Sequence, residues 1–283
     1  MAKQETLITM TFSRTDLDRL AAIMTEAADV EILPRFRSLA GDDIRQKTGV
    51  LDLVTDADEQ AEWRMRDACA KAFPGAAFVG EESVERDASL LSEIADADLA
   101  IIVDPVDGTS NFAWGLPLFG VMAAVTSKGE TIGGLIYDPV GRDWRKALKG
   151  QGAWAENADG KTRDLKVAEP APLADLTGLT SWYLMPEPQR SRTTASLSKV
   201  KASFSYRCAA YEYRIIADGL VHFAVHYKIM PWDHAAGVLI HAEAGGYSAH
   251  YDGTPYRPSR HDGGLIVAPD AATWTTVRQT LIG

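Results

Sequence analysis

The sequence predicts an α/β fold, because segments with the apolar spacing of helices alternate along the chain with short apolar segments typical of strands. The clearest strand is residues 99–103, an uninterrupted apolar run of the kind that is buried on both faces of a sheet. A chain of 283 residues, of which 46% are hydrophobic, can form one large domain or two closely packed halves. Periodicity alone leaves the order of the strands open.

Two helices are predicted near the N-terminus. Thr15 and Asp18 have the spacing of a capping box, and apolar residues follow at helical intervals up to a break at Pro34. Residues 58–73 have the same periodicity and end at Pro74-Gly75. Each helix therefore presents one apolar stripe.

Strands are predicted on both sides of the buried run. Residues 78–80 form a short strand that delivers two consecutive glutamates. Two more strands, 118–126 and 131–138, are predicted to pair as a hairpin around a turn at residues 128–130.

The middle of the chain has few signs of regular secondary structure. From about residue 155 to 192 it has several prolines and little periodicity, so we expect one domain, 1–283, in two halves, 1–150 and 151–283. The elements predicted after this stretch are a helix over 208–218 that ends at Gly219, a strand over 221–226, and a helix over 232–244 that Pro231 opens.

The composition argues against several classes of protein. The net charge of -10, from 39 acidic and 29 basic residues, argues against a nucleic-acid partner, whose affinity comes mainly from basic groups. Cys69 and Cys208 are too few for a disulfide framework or a thiolate zinc site. The N-terminal stretch lacks the apolar core of a signal peptide, and the longest apolar run, 118–125, is far shorter than the ~20 residues that span a bilayer. We therefore expect a cytoplasmic protein that binds neither nucleic acid nor membrane.

All six histidines lie at or after His222, which raises the question of a zinc site. His234 and His241 are seven residues apart on one predicted helix, and His226 shares a predicted strand with His222. Neither pair has the i, i+4 helical spacing with a glutamate that marks zinc proteases. We expect no histidine metal site.

Asp104 and Asp107 follow directly on the buried strand, three residues apart. Two carboxylates at such a place are costly unless something neutralises them. Mg²⁺ does so, with oxygen ligands from one or two carboxylates and from a substrate phosphate. Pro105 fixes the backbone, so that the carbonyl of Val106 can be a further ligand. The alternative is an ordinary turn in which the aspartates only cap the backbone.

The residues that follow are suited to a phosphate. Gly108 allows a close turn, and the N–H groups of Gly108, Thr109 and Ser110 can face a phosphate at the start of a helical turn. The Thr109 hydroxyl can also orient a water. Glu81 lies at the end of a predicted strand, where α/β folds place ligand-binding groups. Asp233 lies in the first turn of a helix, where a carboxylate is favourable by itself.

The motifs of the sequence resemble those of a known family. Three blocks are similar, in order and approximate spacing, to the signature blocks of the inositol monophosphatase family, and two further blocks resemble its N-terminal lysine block and its mid-chain turn. The three signature blocks are GEES at 80–83, DPVDGTSNF at 104–112 and WDHAAG at 232–237 running to EAGG at 243–246; the other two are Lys47 with 52–55 and GQGA at 150–153. The likeness runs from about residue 15 to the C-terminus.

The resemblance implies the layered αβαβα sandwich shared with fructose-1,6-bisphosphatase, usually as a homodimer. It also implies a lithium-sensitive phosphatase with two or three Mg²⁺ ions, or Mn²⁺ in their place. By similarity, Glu81, Asp104 and the Val106 carbonyl are ligands of the first metal, and Asp104, Asp107 and Asp233 of the second. The half 1–150 would then hold most metal ligands, and the half 151–283 would add Asp233 and the specificity residues.

The resemblance also assigns roles in the reaction. Glu81 and Thr109 match the pair that positions the attacking water, and Gly108 and Thr109 supply N–H groups to the phosphate. The expected reaction is Mg²⁺-dependent hydrolysis of a small phosphorylated alcohol, of the inositol-1-phosphate type, by in-line attack of a cation-activated water without a phosphoenzyme.

Two positions depart from inositol-cleaving members of the family. His226 stands where they have a glutamate that contacts the substrate hydroxyls, and Arg207 stands where they begin a Gly-Ser/Thr-Ala type segment. At position 226 a carboxylate, which only accepts hydrogen bonds, is replaced by an imidazole, which can donate and accept. At position 207 a cation is present at the rim of the substrate site. Arg207 and His226, with Ser110, are therefore candidate substrate-binding residues.

Alternative functions stay open. Within the superfamily they are a histidinol-phosphatase, a sugar (bis)phosphatase and a 3'(2'),5'-bisphosphate nucleotidase, although Ser110-Asn111 looks like the monophosphatase branch. Outside enzymology, some bacterial relatives act as regulatory partners of RNA-handling machinery.

Overall fold

The computed structural model describes residues 12–39, 44–49 and 52–283. Within these residues the strands form a two-stranded, a seven-stranded and a five-stranded sheet. The strands are β1 (Ile44–Gly49), β2 (Asp52–Thr55), β3 (Ala77–Gly80), β4 (Ala100–Asp107), β5 (Gly120–Ser127), β6 (Glu130–Asp138), β7 (Asp143–Leu148), β8 (Ala153–Glu156), β9 (Thr162–Asp164), β10 (Thr177–Thr180), β11 (Ala202–Phe204), β12 (Phe223–His226), β13 (Tyr247–His250) and β14 (Leu265–Ala268).

The α-helices of the described residues cover both sheets. They are α1 (Arg14–Ala27), α2 (Asp56–Ala72), α3 (Glu81–Arg86), α4 (Glu93–Asp96), α5 (Thr109–Ala113), α6 (Gln189–Ser196), α7 (Ala209–Ala217), α8 (Pro231–Glu243) and α9 (Ala271–Leu281). None of the helices in this part of the chain is long and apolar enough to cross a membrane.

The seven-stranded sheet has the strand order β3-β4-β5-β6-β7-β8-β9. Its strands pair antiparallel with their neighbours, except that β3 lies parallel to β4. The five-stranded sheet has the order β11-β10-β12-β14-β13, with β10 parallel to both β11 and β12. Strands β1 and β2 pair with each other as a separate antiparallel ribbon.

The predicted layers are confirmed by which side chains pack together. Ile101 and Val103 of β4 pack with the apolar stripes of α1 and α2, whereas Ile102 packs with α7 and α8 on the other face, as the two-residue period of a strand requires. Ala224 of β12 also packs with α7 and α8, and Val225 packs with α9 on the outer face of the second sheet. The order is helices, sheet, helices, sheet, helices.

The capping box of α1 lies two residues before the predicted one. Ser13 is the N-cap, and its hydroxyl oxygen accepts from the Asp16 N–H at 3.3 Å while Asp16 accepts from the Ser13 N–H at 3.0 Å. Thr15 and Asp18 have the same spacing, so the pattern alone did not separate the two starts. The helix then passes at Ala28–Ile32 into a π-helical turn before Pro34.

The strand predicted over 99–103 begins at Ala100 and continues through Asp107 as β4. Its pairing with β5 shifts register between Asp104 and Asp107, so Pro105 and Val106 lie in a bulge. A proline, which has no N–H to donate to a neighbouring strand, is tolerated at such a bulge. The hairpin turn between β5 and β6 is confirmed, with Lys128 and Gly129 both at positive φ, 49° and 77°.

Strands in the middle of the chain were not predicted from the sequence. In β7, Arg145 and Lys146 are buried, and each is paired with a carboxylate, Asp218 at 2.6 Å and Glu156 at 2.9 Å. Consecutive charges hide the apolar alternation that identifies a strand. Residue 150 therefore falls in the turn between β7 and β8, inside the first sheet, and the change of sheet comes between β9 and β10.

Candidate functional site

Three predicted metal ligands meet at the end of β4. Asp104 and Asp107 lie on either side of the β4 bulge, and Asp233 lies in the first turn of α8, which packs against the same sheet. One carboxylate oxygen from each of the three lies within 4.8 Å of the others. Among the described residues, this is the cluster of His, Cys, Asp and Glu side chains that is arranged to hold a metal ion.

The electrostatics of the cluster are unfavourable without a cation. Burial raises the pKa of Asp104 well above its ordinary value, and the charges of Glu81 and Asp107 raise it further. Burial, followed by the charges of Asp107 and Glu81, also raises the pKa of Asp233 well above its ordinary value. Several acidic groups thus compete to be charged in one small, poorly solvated space. Oxygen donors gathered in this way fit a hard divalent cation.

Asp107 is held by the start of α7. Its Oδ2 accepts from the Ala210 N–H at 2.5 Å and from the Cys208 thiol at 3.0 Å. These donors oppose the effect of burial, which nevertheless raises the pKa of the Asp107 carboxyl. The thiol of Cys208 is itself buried, and burial raises its pKa well above its ordinary value, so it serves here as a neutral donor.

Glu81 follows β3, which lies next to β4 in the sheet with Gly80 opposite Val103. As the first residue of α3 it stands close enough to the cluster for its charge to raise the pKa of Asp104, Asp107 and Asp233. The sheet therefore brings Glu81 near the three aspartates.

The phosphate-facing segment also lies at this edge. Gly108 has φ of 87°, and a Cβ there would come within 2.9 Å of the Leu118 carbonyl oxygen and 3.0 Å of Cys208 Cβ, so a glycine is required. It precedes α5, whose first turn begins with Thr109 and Ser110. The first N–H groups of a helix lack acceptors within the helix. The Val106 carbonyl oxygen accepts from the Thr109 hydroxyl at 3.0 Å.

Asp58 lies at the site but was not predicted from the sequence as a site residue. It is 1% exposed, and its Oδ1 lies 3.1 Å from the Thr109 hydroxyl. Its other oxygen accepts from the Thr55 N–H at 2.9 Å and from the Thr55 hydroxyl at 2.6 Å, which completes a capping box at the start of α2. The Thr-x-x-Asp spacing at 55–58 is the sequence signal that could have found it.

Arg207 reaches the start of α5 from the opposite side. Its backbone has a positive φ of 54°, and its guanidinium donates to the Ser110 hydroxyl oxygen at 3.3 Å. The same group lies over the rings of Trp114 and Tyr183, at 5.2 and 5.7 Å from their centroids. The structure therefore places a cation held by aromatic rings beside the first turn of α5.

His226 is a buried residue. It is 5% exposed, its ring stacks on Tyr213 at 5.5 Å, and its Nε2 is buried without a hydrogen-bond partner. Its Nδ1 lies 3.7 Å from Oε2 of Glu212. Burial lowers the pKa of His226 well below its ordinary value and raises the pKa of Glu212 to about 7. The imidazole is therefore neutral at pH 7, and only a small part of it is exposed.

Two other blocks of the resemblance have identifiable places. Glu243 accepts from the N–H groups of Gly150 and Gly152, at 2.7 and 2.8 Å, so the C-terminal block holds the mid-chain turn. The side chain of Lys47 lies outside what the structure describes.

Comparison with known proteins identifies the family of this chain. The model of the inositol monophosphatase family matches residues 16–281. A protein of Thermotoga maritima named fructose-1,6-bisphosphatase/inositol-1-monophosphatase is 31% identical over 75% of this chain and 77% of its own length. The Nus factor SuhB of Escherichia coli K12 is 33% identical over 72% of this chain and 74% of its own length.

A solved structure of a Thermotoga maritima IMPase has the same fold. It superposes with a TM-score of 0.78 and 25% identity, over 94% of this chain and 96% of that one. The family model, which matches residues 16–281, spans both larger sheets and the residues of the acidic cluster. The chain therefore belongs to the inositol monophosphatase family and is a phosphatase of that family.

Proposed function

We propose that the protein is a Mg²⁺-dependent phosphomonoesterase that hydrolyses a small phosphorylated alcohol of the inositol-1-phosphate type. The observation that carries the proposal is the group of carboxylates from Asp104, Asp107 and Asp233, within 4.8 Å of one another beside Glu81 and the start of α5. The proposed unit is one catalytic domain over 1–283, with most metal ligands before residue 150.

The residues fit two or three Mg²⁺ ions, or Mn²⁺. Glu81, Asp104 and the Val106 carbonyl would hold the first ion, and Asp104, Asp107 and Asp233 the second. Bound cations would supply the positive charge that the phosphoryl oxygens and the departing alkoxide require. An acidic protein with a net charge of -10 can then bind a phosphate, because the local field is reversed.

Thr109 is suited to orient the attacking water. Its hydroxyl has two acceptors within reach, Asp58 Oδ1 and the Val106 carbonyl. The hydroxyl has one proton, which either acceptor takes, so its oxygen is left to accept a hydrogen bond from the water. Glu81 would accept the second proton of this water as general base. The N–H groups of Gly108, Thr109 and Ser110 would hold the phosphate oxygens.

Substrate choice would depend on Arg207 more than on His226. The guanidinium of Arg207 lies at hydrogen-bond distance from the hydroxyl of Ser110, whose N–H is one of the proposed phosphate contacts. Such a group favours a substrate with a second anionic group, as in a sugar bisphosphate or a bisphosphate nucleotide. His226 would contact a substrate only through its small exposed edge, because it is 5% exposed.

Further properties follow from the family resemblance. We propose a cytoplasmic homodimer that Li⁺ inhibits, with a small phosphorylated metabolite as its partner and no nucleic acid or membrane. Li⁺ is close to Mg²⁺ in size but has half its charge, so it would occupy the second site without stabilising the alkoxide. Inhibition should weaken as Mg²⁺ rises.

A second candidate function is a regulatory one. The observation that favours it is the 33% identity to a protein named Nus factor SuhB. An Asp104→Asn chain that cannot hydrolyse phosphate but still restores the growth of a strain that lacks the protein would support this role.

The deciding experiment is phosphate release from a panel of phosphorylated metabolites with Mg²⁺ and after chelation. The panel includes inositol 1-phosphate, histidinol phosphate, paired sugar mono- and bisphosphates, and a 3',5'-bisphosphate nucleotide. We expect turnover that requires the cation. Substantial turnover in excess chelator, or none with any member, would contradict the proposal.

A further inference from the structure

A second buried acid lies one helical turn after Asp58 on α2. Glu62 is 0% exposed, and its carboxylate faces the junction between β3 and α3. Its Oε2 accepts from the Glu82 N–H at 2.7 Å, and its Oε1 accepts from the Ser83 hydroxyl at 2.5 Å. Arg86 adds a cation at 3.6 Å. Glu62 thus contacts the first turn of α3 through Glu82 and Ser83 and the last residue of the helix through Arg86.

The residue before α3 is fitted to the same carboxylate. A Cβ on Gly80 would lie 2.3 Å from both Cδ and Oε2 of Glu62. No larger residue fits there unless Glu62 moves. Residues 80–83 therefore contact Glu62 at three points: at Gly80, at the backbone of Glu82 and at the side chain of Ser83.

Glu81 lies within this segment, 80–83, that Glu62 contacts. Its neighbours on both sides, Gly80 and Glu82, contact Glu62, so the direction in which the Glu81 side chain leaves the backbone is fixed. We propose that Glu62 is a positioning residue that holds Glu81 toward the aspartate cluster and so sets the affinity of the site for its divalent cation. The inference rests on the metal site proposed above.

A purely structural role would explain burial but not this arrangement. Burial of a carboxylate is unfavourable and raises the pKa of Glu62. Well-packed apolar residues can often replace a whole buried ion pair without loss of stability. A carboxylate at this point supplies what an apolar residue cannot, which is two directed acceptors for consecutive residues after Glu81. Groups that orient a metal ligand in this way typically change metal affinity when they are replaced.

The test is Mn²⁺ binding by the intact protein, measured by electron paramagnetic resonance of free Mn²⁺ without substrate. Glu62→Gln keeps the shape but exchanges one acceptor for a donor and removes the charge. Ser83→Ala removes one contact and leaves Glu62 in place. The control is Glu59→Gln, the same change on the same helix at a partly exposed residue that pairs with Arg45 and lies 3.9 Å from Arg86, so it also controls for the loss of a charge near Arg86.

We expect the Kd for Mn²⁺ to rise by about 10-fold or more in Glu62→Gln, as for residues that orient metal ligands. Ser83→Ala should shift it in the same direction by roughly 3-fold, the size of one modest hydrogen bond. Glu59→Gln should leave it unchanged. The Mg²⁺ concentration for half-maximal activity should follow the Mn²⁺ Kd, with little change in KM at saturating Mg²⁺.

A folded Glu62→Gln with the wild-type Kd would overturn the inference. If Glu62→Gln does not fold, a wild-type Kd in Ser83→Ala overturns it equally. Failure of the wild-type protein to bind Mn²⁺ would instead refute the metal site of the proposed function.

Discussion

The hydroxyl of Thr109 lies 3.1 Å from a carboxylate oxygen of Asp58, a residue 51 positions earlier in the chain. Asp58 also caps α2, so the same carboxylate fixes the start of a helix and the orientation of a hydroxyl in the site. With Glu62 one turn later, α2 presents two buried acids to the two segments that carry Thr109 and Glu81. The helix thus orients both members of the proposed water-positioning pair.

Asp58→Asn should lower kcat. An amide can donate to Thr109 as well as accept, so the hydroxyl is no longer fixed as an acceptor toward water. The loss of one hydrogen bond to a charged group is worth about 1.5–3 kcal/mol, or roughly 10- to 100-fold in rate. Steady-state kinetics should show the loss in kcat, with KM little changed.

Asp16→Asn is the matched control for this substitution, because Asp16 has the same place in the capping box of α1, away from the site. Both variants weaken a helix cap, but only Asp58→Asn should slow turnover. Equal kinetics in the two would show that Asp58 acts only as a cap.

Asp104→Asn should abolish nearly all phosphate release, because Asp104 is the proposed ligand of both cations. The same change should not destabilise the metal-free protein, since it removes a buried charge that Glu81 and Asp107 oppose. Activity with Mg²⁺ and chemical denaturation in chelator measure the two effects. A variant that is active, or that unfolds far more easily than wild type in chelator, would contradict this account.

Arg207→Gly should change selectivity without disturbing the backbone, because glycine readily adopts the positive φ of this position. For a sugar bisphosphate, kcat/KM should fall by about 10- to 100-fold, which is the loss of about 1.4–2.7 kcal/mol of charge-assisted contact. For the matching monophosphate it should change by less than about 3-fold.

Arg142→Gly is the control, because Arg142 also has a positive φ, of 53°, but pairs with Asp29 away from the site. It should leave both substrates unaffected. An equal loss on the two sugars in Arg207→Gly would mean that Arg207 holds the reacting phosphate and does not select for a second anion.

Glu212→Gln should remove part of the pH dependence of stability. Burial raises the pKa of Glu212 in the folded protein from 4.5 to about 7. The folded state therefore holds a proton that the unfolded state releases, so this group stabilises the fold below about pH 4.5 and loses that contribution as pH rises through about 7. The size of the effect is on the order of 2–4 kcal/mol.

The measurement is the free energy of unfolding in chelator at pH 5 and pH 8 for both proteins. Wild type should lose more stability over this interval than Glu212→Gln, whose amide keeps the acceptor for Ser205 and Tyr206 but does not titrate. Equal losses would show that Glu212 titrates normally.

The sequence by itself determined the α/β class, the hairpin of β5 and β6, and the helices α7 and α8 with their ends. These features follow from local causes. Apolar spacing, prolines at helix starts and glycines in turns act within a few residues, and burial then follows the same period. The segment 104–110 was also predictable as a site, because Asp104, Asp107 and Gly108 are adjacent in the chain.

Tertiary structure decided what depends on contacts between distant residues. Strand β7 was not predicted, because its two buried charges are neutralised by partners elsewhere in the fold. Asp58 and Glu62 looked like ordinary helix residues until the sheet brought Thr109 and Glu81 to them. His226 was predicted as a candidate substrate contact, and the packing of α7 leaves it only 5% exposed. A side chain's environment is set by the segments that pack on it, and the sequence around it does not encode which segments those are.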